Sequence, residues 1–213
     1  MKQLTLLLLL LCAFSVHLSA QPVKPTSYKQ CPDSNHPHLI DLGLPSGTKW
    51  ACCNVDAFSP RESGGFYAWG ETEEKLDYSW NNYKYCDNTT CYDLGPNICG
   101  TQYDVAHVKW RGSWLLPTKE QFQELIDNCK YEWTTLKGRK GGRFTGPNGG
   151  SIFLPAAGER QARAHNSKGQ WGGYWAGTIS SPYFADGLSF SSEEVGGAIH
   201  NRINGWSVRP VIK

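Results

Sequence analysis

Short apolar runs, each ended within a few residues by Gly, Pro or Asn, follow one another along the chain from residue 38 onwards. Runs that alternate between apolar and polar residues are typical of half-buried β-strands. Two of them, 143–145 and 151–154, flank the segment Gly-Pro-Asn-Gly-Gly at 146–150, which predicts a β-hairpin. Residues 71–103 are polar and turn-rich, which indicates a long loop region. The remaining runs predict strands over 38–42, 48–55, 65–70, 174–178, 188–191 and 205–212.

Residues 118–129 carry the signals of an amphipathic helix. Thr118 and Gln121 have the spacing of a capping box, in which each side chain binds the main chain of the other residue. A second pattern predicts a shorter helix over 104–110. Together with the strands, these helices predict an α+β fold in one domain, 38–213. Apolar side chains after the capping box recur at the spacing of one buried helical face: Phe122, Leu125, Ile126 and Cys129.

The first twenty residues have the organisation of a signal peptide. A basic Lys2 precedes an apolar run that is too short for a stable membrane span, and the small residues Ser19 and Ala20 suit a peptidase that cuts after residue 20. Lipidation at Cys12 is an alternative, but leucines stand where a lipobox has small residues. We expect export to the periplasm, the cell surface or the medium, a proline-rich lead-in over 21–37, and no membrane span.

Seven of the eight cysteines follow residue 20, and an exported chain meets an oxidising compartment. Cys86 and Cys91 flank a turn and are the predicted disulfide. Cys52 and Cys53 are neighbours on a predicted strand, so they point to opposite faces and do not pair with each other. The odd number leaves at least one thiol outside an intrachain disulfide.

Charge and motifs exclude several classes of function. A formal net charge of +2 argues against a nucleic-acid binder, which needs a basic field. No spacing typical of a hydrolase, a nucleotide-binding loop or a dinucleotide fold is present, and no cofactor is predicted. Cys31, His36 and His38 could contribute to a metal site, but no fourth ligand has the right spacing, so exposed imidazoles are favoured. The basic segment 137–143 is interpreted as an exposed loop, with polyanion binding as the alternative.

The segment 171–204 mixes aromatic residues with Gly, Ser and Asn, a combination that supplies rigid stacking surfaces beside small hydrogen-bonding groups. Trp175, Phe190 and Trp206 lie in strand-like alternations and are predicted to be core. Residues 200–204 are predicted to form an exposed loop. The predicted ligand-binding residues are Trp171, Tyr174, Tyr183, His200, Asn201, Arg202 and Asn204.

Several blocks of the chain resemble the Fibrobacter succinogenes major paralogous domain family: LIDLGLPSGTKWACCNV, GGFYAWGE, GTQYDVAHVKW, SWLLPTKEQFQELI, GSIFLPAAG and GWSVRPV. The resemblance implies a C-type-lectin-like fold, related to formylglycine-generating enzymes and to the variable proteins of diversity-generating retroelements. By that analogy the ligand surface lies within 171–204, just before the closing strand. Calcium-dependent lectins share a Glu-Pro-Asn-type loop and a Trp-Asn-Asp-type strand, whereas this chain has only Gly146-Pro147-Asn148 and no such strand. Formylglycine-generating enzymes use a cysteine pair near the C-terminus, whereas the last cysteine here is Cys129. We therefore expect neither calcium-mediated sugar binding nor the oxidase chemistry.

These observations predict an exported, non-catalytic module that binds an extracellular glycan or protein without a metal ion. One alternative is a divergent carbohydrate-active enzyme that uses carboxylates such as Glu71 or Glu159. The other is a structural subunit of a surface assembly, which would present an exposed edge strand or a groove for one.

Overall fold

A computed structural model describes residues 38–87 and 90–213. The predicted signal peptide, the lead-in, Cys12, Cys31 and His36 lie outside these residues. The described chain contains the helices α1 (Val105–Trp110) and α2 (Lys119–Asn128) and a 3-10 turn, Trp80–Asn82. Its strands are β1 (Leu39–Asp41), β2 (Lys49–Ala51), β3 (Lys130–Leu136), β4 (Arg139–Thr145), β5 (Ser151–Pro155), β6 (Glu159–Gln161), β7 (Ala164–Asn166), β8 (Trp171–Ser181), β9 (Phe184–Ser191), β10 (Val195–Asn201) and β11 (Val211–Ile212).

The strands form small antiparallel sheets, so the predicted α+β class is confirmed. Three sheets have three strands each, in the orders β1-β2-β11, β10-β9-β8 and β3-β4-β5, and β6 pairs with β7. In the first sheet Trp50 of β2 lies opposite both Ile40 and Val211. This pairing joins the first and last described strands of the chain.

Both predicted helices form, and each begins at a side-chain cap. The Thr118 hydroxyl accepts a hydrogen bond from the Gln121 amide, and the Gln121 side chain accepts one from the Thr118 amide, which completes the predicted capping box. Asp104 caps α1 by accepting from the His107 amide. The buried side chains of α2 face the sheet of β8, β9 and β10. Within the described ranges, neither helix has the length and apolar content needed to cross a bilayer.

The hairpin predicted around 146–150 is confirmed as β4 and β5, with Phe144 opposite Ile152. Other strand predictions were wrong in extent. The predicted strand 65–70 reduces to one bridge between Tyr67 and Trp206, because the next main-chain donor, Trp69, bonds instead to the carbonyl of Arg202. The strands predicted over 48–55 and 205–212 shorten to β2 and β11. Strand β10 was not predicted, since its glycines have low strand propensity.

Large aromatic rings fill the interior. Trp175 and Trp206 stack with ring centroids 4.5 Å apart, and Phe190 stacks on Tyr174 at 5.9 Å. Trp175, Phe190 and Trp206 are all at most 1% exposed, which confirms their prediction as core. The Trp175 ring nitrogen donates to the carbonyl of Tyr67 at 2.7 Å, so this buried polar group is satisfied.

Arg209 lies fully buried just before β11 and connects separate parts of the chain. Its guanidinium donates to the Asn54 side chain at 2.8 Å and to the carbonyls of Ala51 and Cys52, each at 3.1 Å. A further bond of 2.9 Å reaches the carbonyl of Phe153 in β5. The chain after β2 and the strand β5 are thereby held to the closing segment.

We expect Arg209→Met to lower the free energy of unfolding by at least about 3 kcal/mol, because it leaves several buried carbonyls without donors at about 1–3 kcal/mol each. Arg209→Lys keeps the charge and part of the donor set, so its loss should be smaller. Chemical denaturation of the three proteins measures the difference. Equal stability of Arg209→Met and the parent chain would contradict a structural role for these bonds.

Candidate functional site

Aromatic side chains are exposed around the turn that joins β8 and β9. Tyr183 and Phe184 are 42% and 38% exposed, and Tyr92 from the preceding loop region is 49% exposed. The half-buried Trp80 contacts Tyr183 edge to face, with ring centroids 5.8 Å apart. We name Trp80, Tyr92, Tyr183 and Phe184 the aromatic surface. Of the predicted ligand-binding residues, only Tyr183 belongs to it.

Arg202 supports the aromatic surface from within the protein. Its guanidinium donates to the carbonyl of Pro182 at 2.7 Å and to the carbonyl of Tyr92 at 3.3 Å. Its main-chain amide bonds to the carbonyl of Tyr183 at 3.0 Å. The side chain is fully buried, so the prediction that Arg202 lies in an exposed loop was wrong. The residue fixes the two main-chain segments that present exposed rings.

The charge of Arg202 is accommodated by aromatic rings and dipoles. The guanidinium lies 4.7 Å from the centroid of Trp69, within cation–π range, and its Nε donates to the Tyr83 hydroxyl at 3.0 Å. Burial raises the pKa of Tyr83, so its hydroxyl keeps a proton and donates it to the carbonyl of Trp69 at 2.7 Å. No carboxylate in the described chain forms an ion pair with Arg202.

The predicted disulfide between Cys86 and Cys91 is confirmed, and it lies beside the aromatic surface. Tyr92 directly follows the second cysteine, and its amide bonds to the carbonyl of Tyr85 at 2.8 Å. The crosslink thus constrains the loop that carries one of the exposed rings. Two thiols, Cys99 and Cys129, make no disulfide with a described cysteine, and burial raises their pKa values to about 12 and about 11.

Glu159 is the centre of a second cluster, which contains several of the residues predicted to bind a ligand. One carboxylate oxygen accepts from His200 Nε2 at 2.9 Å, from the Asn204 side chain at 3.0 Å and from the Trp206 ring nitrogen at 3.2 Å. Burial acts to raise the pKa of Glu159, but these three donors outweigh it and the pKa is lowered. Trp171 packs edge to face on Trp206, at 5.3 Å.

Both ring nitrogens of His200 are occupied. The Asn201 amide donates to Nδ1 at 3.0 Å, so Nδ1 carries a lone pair and the proton lies on Nε2, toward Glu159. A general acid or base needs a ring nitrogen that faces the substrate. The contacts of His200 are instead those of a side chain that orders the end of β10.

The prediction that Tyr174 and Asn204 contact a ligand was also wrong, because both side chains are buried. Their burial depends on tertiary packing, which the sequence does not show. Tyr174 is fully buried, and its hydroxyl donates to the carbonyl of Pro155 at 2.9 Å. Asn204 is also fully buried, beneath Glu159. Trp171, His200 and Asn201 are half-buried, and their role in binding stays a prediction.

Glu71, the other carboxylate considered for catalysis, has an internal role. It is 8% exposed and pairs with Lys75 at 2.8 Å, and it also accepts from the Lys84 amide at 2.8 Å. Lys75 in turn donates to the carbonyl of Asn82 at 2.7 Å. Glu71 and Glu159 share no hydrogen-bond or ion-pair partner among the described residues. Nor do the described residues contain a group of three or more His, Cys, Asp or Glu placed to hold a metal ion.

Sequence reasoning missed Trp80 and Tyr92, which lie in the segment interpreted as a long loop. Its unusual density of aromatic residues was the available signal, since exposed rings on a constrained loop often bind ligands.

Comparisons with known proteins add no assignment: no family model matches the chain, and no curated protein or solved structure is significantly similar to it.

Removal of the disulfide by Cys86→Ser with Cys91→Ser should lower the free energy of unfolding by about 2 kcal/mol, the chain-entropy value for so short a loop. Thermal or chemical unfolding measures the loss. Reduced parent protein should match the double variant, and a reductant should leave the variant unchanged. A variant as stable as the oxidised parent would contradict the expectation.

Glu159→Gln should change how stability depends on pH. Because the folded pKa of Glu159 lies below its ordinary value near 4.5, the carboxylate stabilises the fold above that pH, and this contribution disappears as the pH falls through the folded pKa. The variant should therefore be less stable than the parent at neutral pH, and the gap should narrow below about pH 4.5. Unfolding free energies across this range test the expectation, with Glu193→Gln, an exposed carboxylate, as the control. A constant gap would contradict it.

Proposed function

We propose that this protein is an exported, non-catalytic module that binds an extracellular glycan through the aromatic surface, without a metal ion. One observation carries the proposal: three rings, on Tyr92, Tyr183 and Phe184, are 38–49% exposed on segments that Arg202 and the disulfide fix in place. Exposed rings that are rigidly held supply stacking faces at a low entropic cost of ordering.

The chemistry of the surface favours a sugar ligand. Sugar rings offer apolar C–H faces to an aromatic ring and hydroxyls to polar neighbours, and the segments around the exposed rings contain Ser79, Asn81 and Ser181. Such stacking needs no bridging ion. Metal independence is further supported by the sequence, which contains Gly146-Pro147-Asn148 but no Glu-Pro-Asn loop of the kind that calcium-dependent lectins have.

Export and the lectin-like fold are part of the same proposal. The leader-like residues 1–20 and the disulfide both suit an oxidising compartment, the periplasm, the cell surface or the medium. The capped helix α2 supports the C-type-lectin-like fold that the family resemblance implies, and so does the closing strand β11, which pairs with β2 on the edge opposite β1. The proposal includes kinship with the Fibrobacter succinogenes major paralogous domain proteins, which the resemblance of the sequence blocks supports.

A structural role in a surface assembly is the second candidate, and strand β10 favours it. Within the described chain β10 pairs only with β9, so no described strand occupies its other edge, and Ile199 on it is 62% exposed. An open strand edge can accept a strand from another chain. Oligomers on a sizing column that disappear with Ile199→Lys would favour this candidate. The enzyme alternative has less support, because Glu71 and Glu159 are engaged in separate internal contacts.

Tyr92→Ala with Tyr183→Ala should weaken glycan binding at least about tenfold, about 1.4 kcal/mol, because two stacking faces are lost. The thermal midpoint should change little, since both rings are substantially exposed. A glycan array identifies the ligand in the presence and absence of a chelator, and calorimetry then measures its affinity.

Val108→Ala is the matched control, because Val108 is 39% exposed on α1 and is not part of the aromatic surface. It should leave glycan affinity unchanged. Glycan binding that survives the double tyrosine variant would contradict the site, and binding abolished by the chelator would contradict metal independence. Binding to a protein array but to no glycan would replace the glycan by a protein ligand.

A further inference from the structure

A cleft of about 470 Å³ opens on another part of the protein, and its charged lining residues are all cations. Arg139 and Lys140 begin β4, Arg61 comes from the loop after β2, and Lys168 comes from the turn before β8. We name the cleft that these four residues line the cationic cleft. The remaining lining residues are small or uncharged: Ser63, Gly138, Pro155, Ala156, Gly169 and Gln170.

Main-chain hydrogen bonds hold the floor of the cationic cleft. The Ala156 amide donates to the carbonyl of Lys140 at 2.9 Å, and its carbonyl accepts from the Gly169 amide at 2.8 Å. Lys140 and the Lys168–Gly169 turn are therefore both held in place by main-chain hydrogen bonds to Ala156. Arg61 is held across the opening by a bond of 3.4 Å from its guanidinium to the carbonyl of Lys137.

The four cations make no ion pair with a described carboxylate, whereas some other basic residues do. Arg143, on the same strand, pairs with Glu132, and Lys109 pairs with Asp56 at 2.7 Å. No ion pair in the described chain includes Arg61, Arg139, Lys140 or Lys168. Like charges held close together without counterions repel one another, and an anionic ligand relieves that repulsion.

We propose that the cationic cleft binds a polyanionic glycan, through sulfate or carboxylate groups spaced along the sugar chain. Arginine forks and lysine ammonium groups are the donors that suit such oxyanions. The lining contains no aromatic ring on which a nucleobase could stack, which argues against single-stranded nucleic acid. The concave shape and the absence of large apolar lining residues argue against a membrane surface.

The cationic cleft and the aromatic surface lie at opposite ends of β8. This strand begins at Trp171, next to the Lys168–Gly169 turn, and ends at Ser181, next to Pro182 and Tyr183. Its eleven residues correspond to about 30 Å of extended chain. The proposal for the cleft therefore goes beyond the proposed function, and either site can fail without the other.

The test measures binding of heparin, a sulfated glycan, and of polygalacturonate, a carboxylated one, as a function of salt concentration. Arg139→Gln with Lys140→Gln should weaken binding at least about tenfold at about 0.1 M salt and lower the salt dependence by about one counterion per cation removed. Lys119→Gln with Lys130→Gln removes the same net charge from exposed lysines outside the cleft and should change affinity less than about twofold. Arg139→Lys should retain most of the binding.

The outcomes separate the possibilities. Preference for heparin or for polygalacturonate identifies the anionic group, and retention of that binding by Tyr92→Ala with Tyr183→Ala supports two independent sites. Absence of binding to both glycans would overturn the proposal, as would an equal loss in the control pair. Tighter binding of a DNA oligonucleotide or of anionic phospholipid vesicles than of either glycan, with the same loss in the cleft variant, would also overturn it.

Discussion

Among the described residues, the guanidinium of Arg209 donates hydrogen bonds to the Asn54 side chain and to the main-chain carbonyls of Ala51, Cys52 and Phe153. The fold needs such a donor because its strands are short. Strands of three residues, such as β1 and β2, satisfy few main-chain groups, and the chain beyond their ends still enters the core. One arginine, with five donors in a rigid fork, satisfies carbonyls that no ladder reaches.

Arg202 performs the same task beneath the aromatic surface. Its bonds to the carbonyls of Pro182 and Tyr92 connect two loops that have no strand in common. The cost of burying its charge is reduced by ring faces and by carbonyl dipoles, without a carboxylate partner in the described chain. The charged side chain of Arg202 thus supports, from within the protein, the main-chain segments that carry the exposed rings of Tyr92 and Tyr183.

Local signals predicted the elements that depend on local chemistry. The α2 helix follows from a capping box and one apolar face, the β4–β5 hairpin from its glycine-rich turn, and the Cys86–Cys91 disulfide from its short spacing. Burial within 171–204 could not be predicted in the same way. Tyr174, Arg202 and Asn204 have the composition of a ligand surface, but their polar atoms bind partners far away in sequence, and only the assembled fold brings those partners together.

The formal net charge of +2 conceals how charge is distributed. Carboxylates such as Asp56, Glu71 and Glu132 are paired with lysine or arginine elsewhere, so they neutralise little of the potential in the cationic cleft. Because salt screens charges beyond about 8–10 Å, a ligand in the cleft responds to the side chains that line it and hardly to the protein total. Near-neutrality therefore argues against a ligand that needs a basic field over the whole surface, such as duplex DNA, but not against an acidic sugar chain that contacts one cleft. The net charge of a protein limits which ligands can bind across its whole surface, whereas the placement of its ion pairs determines which charged ligands can bind in one cleft.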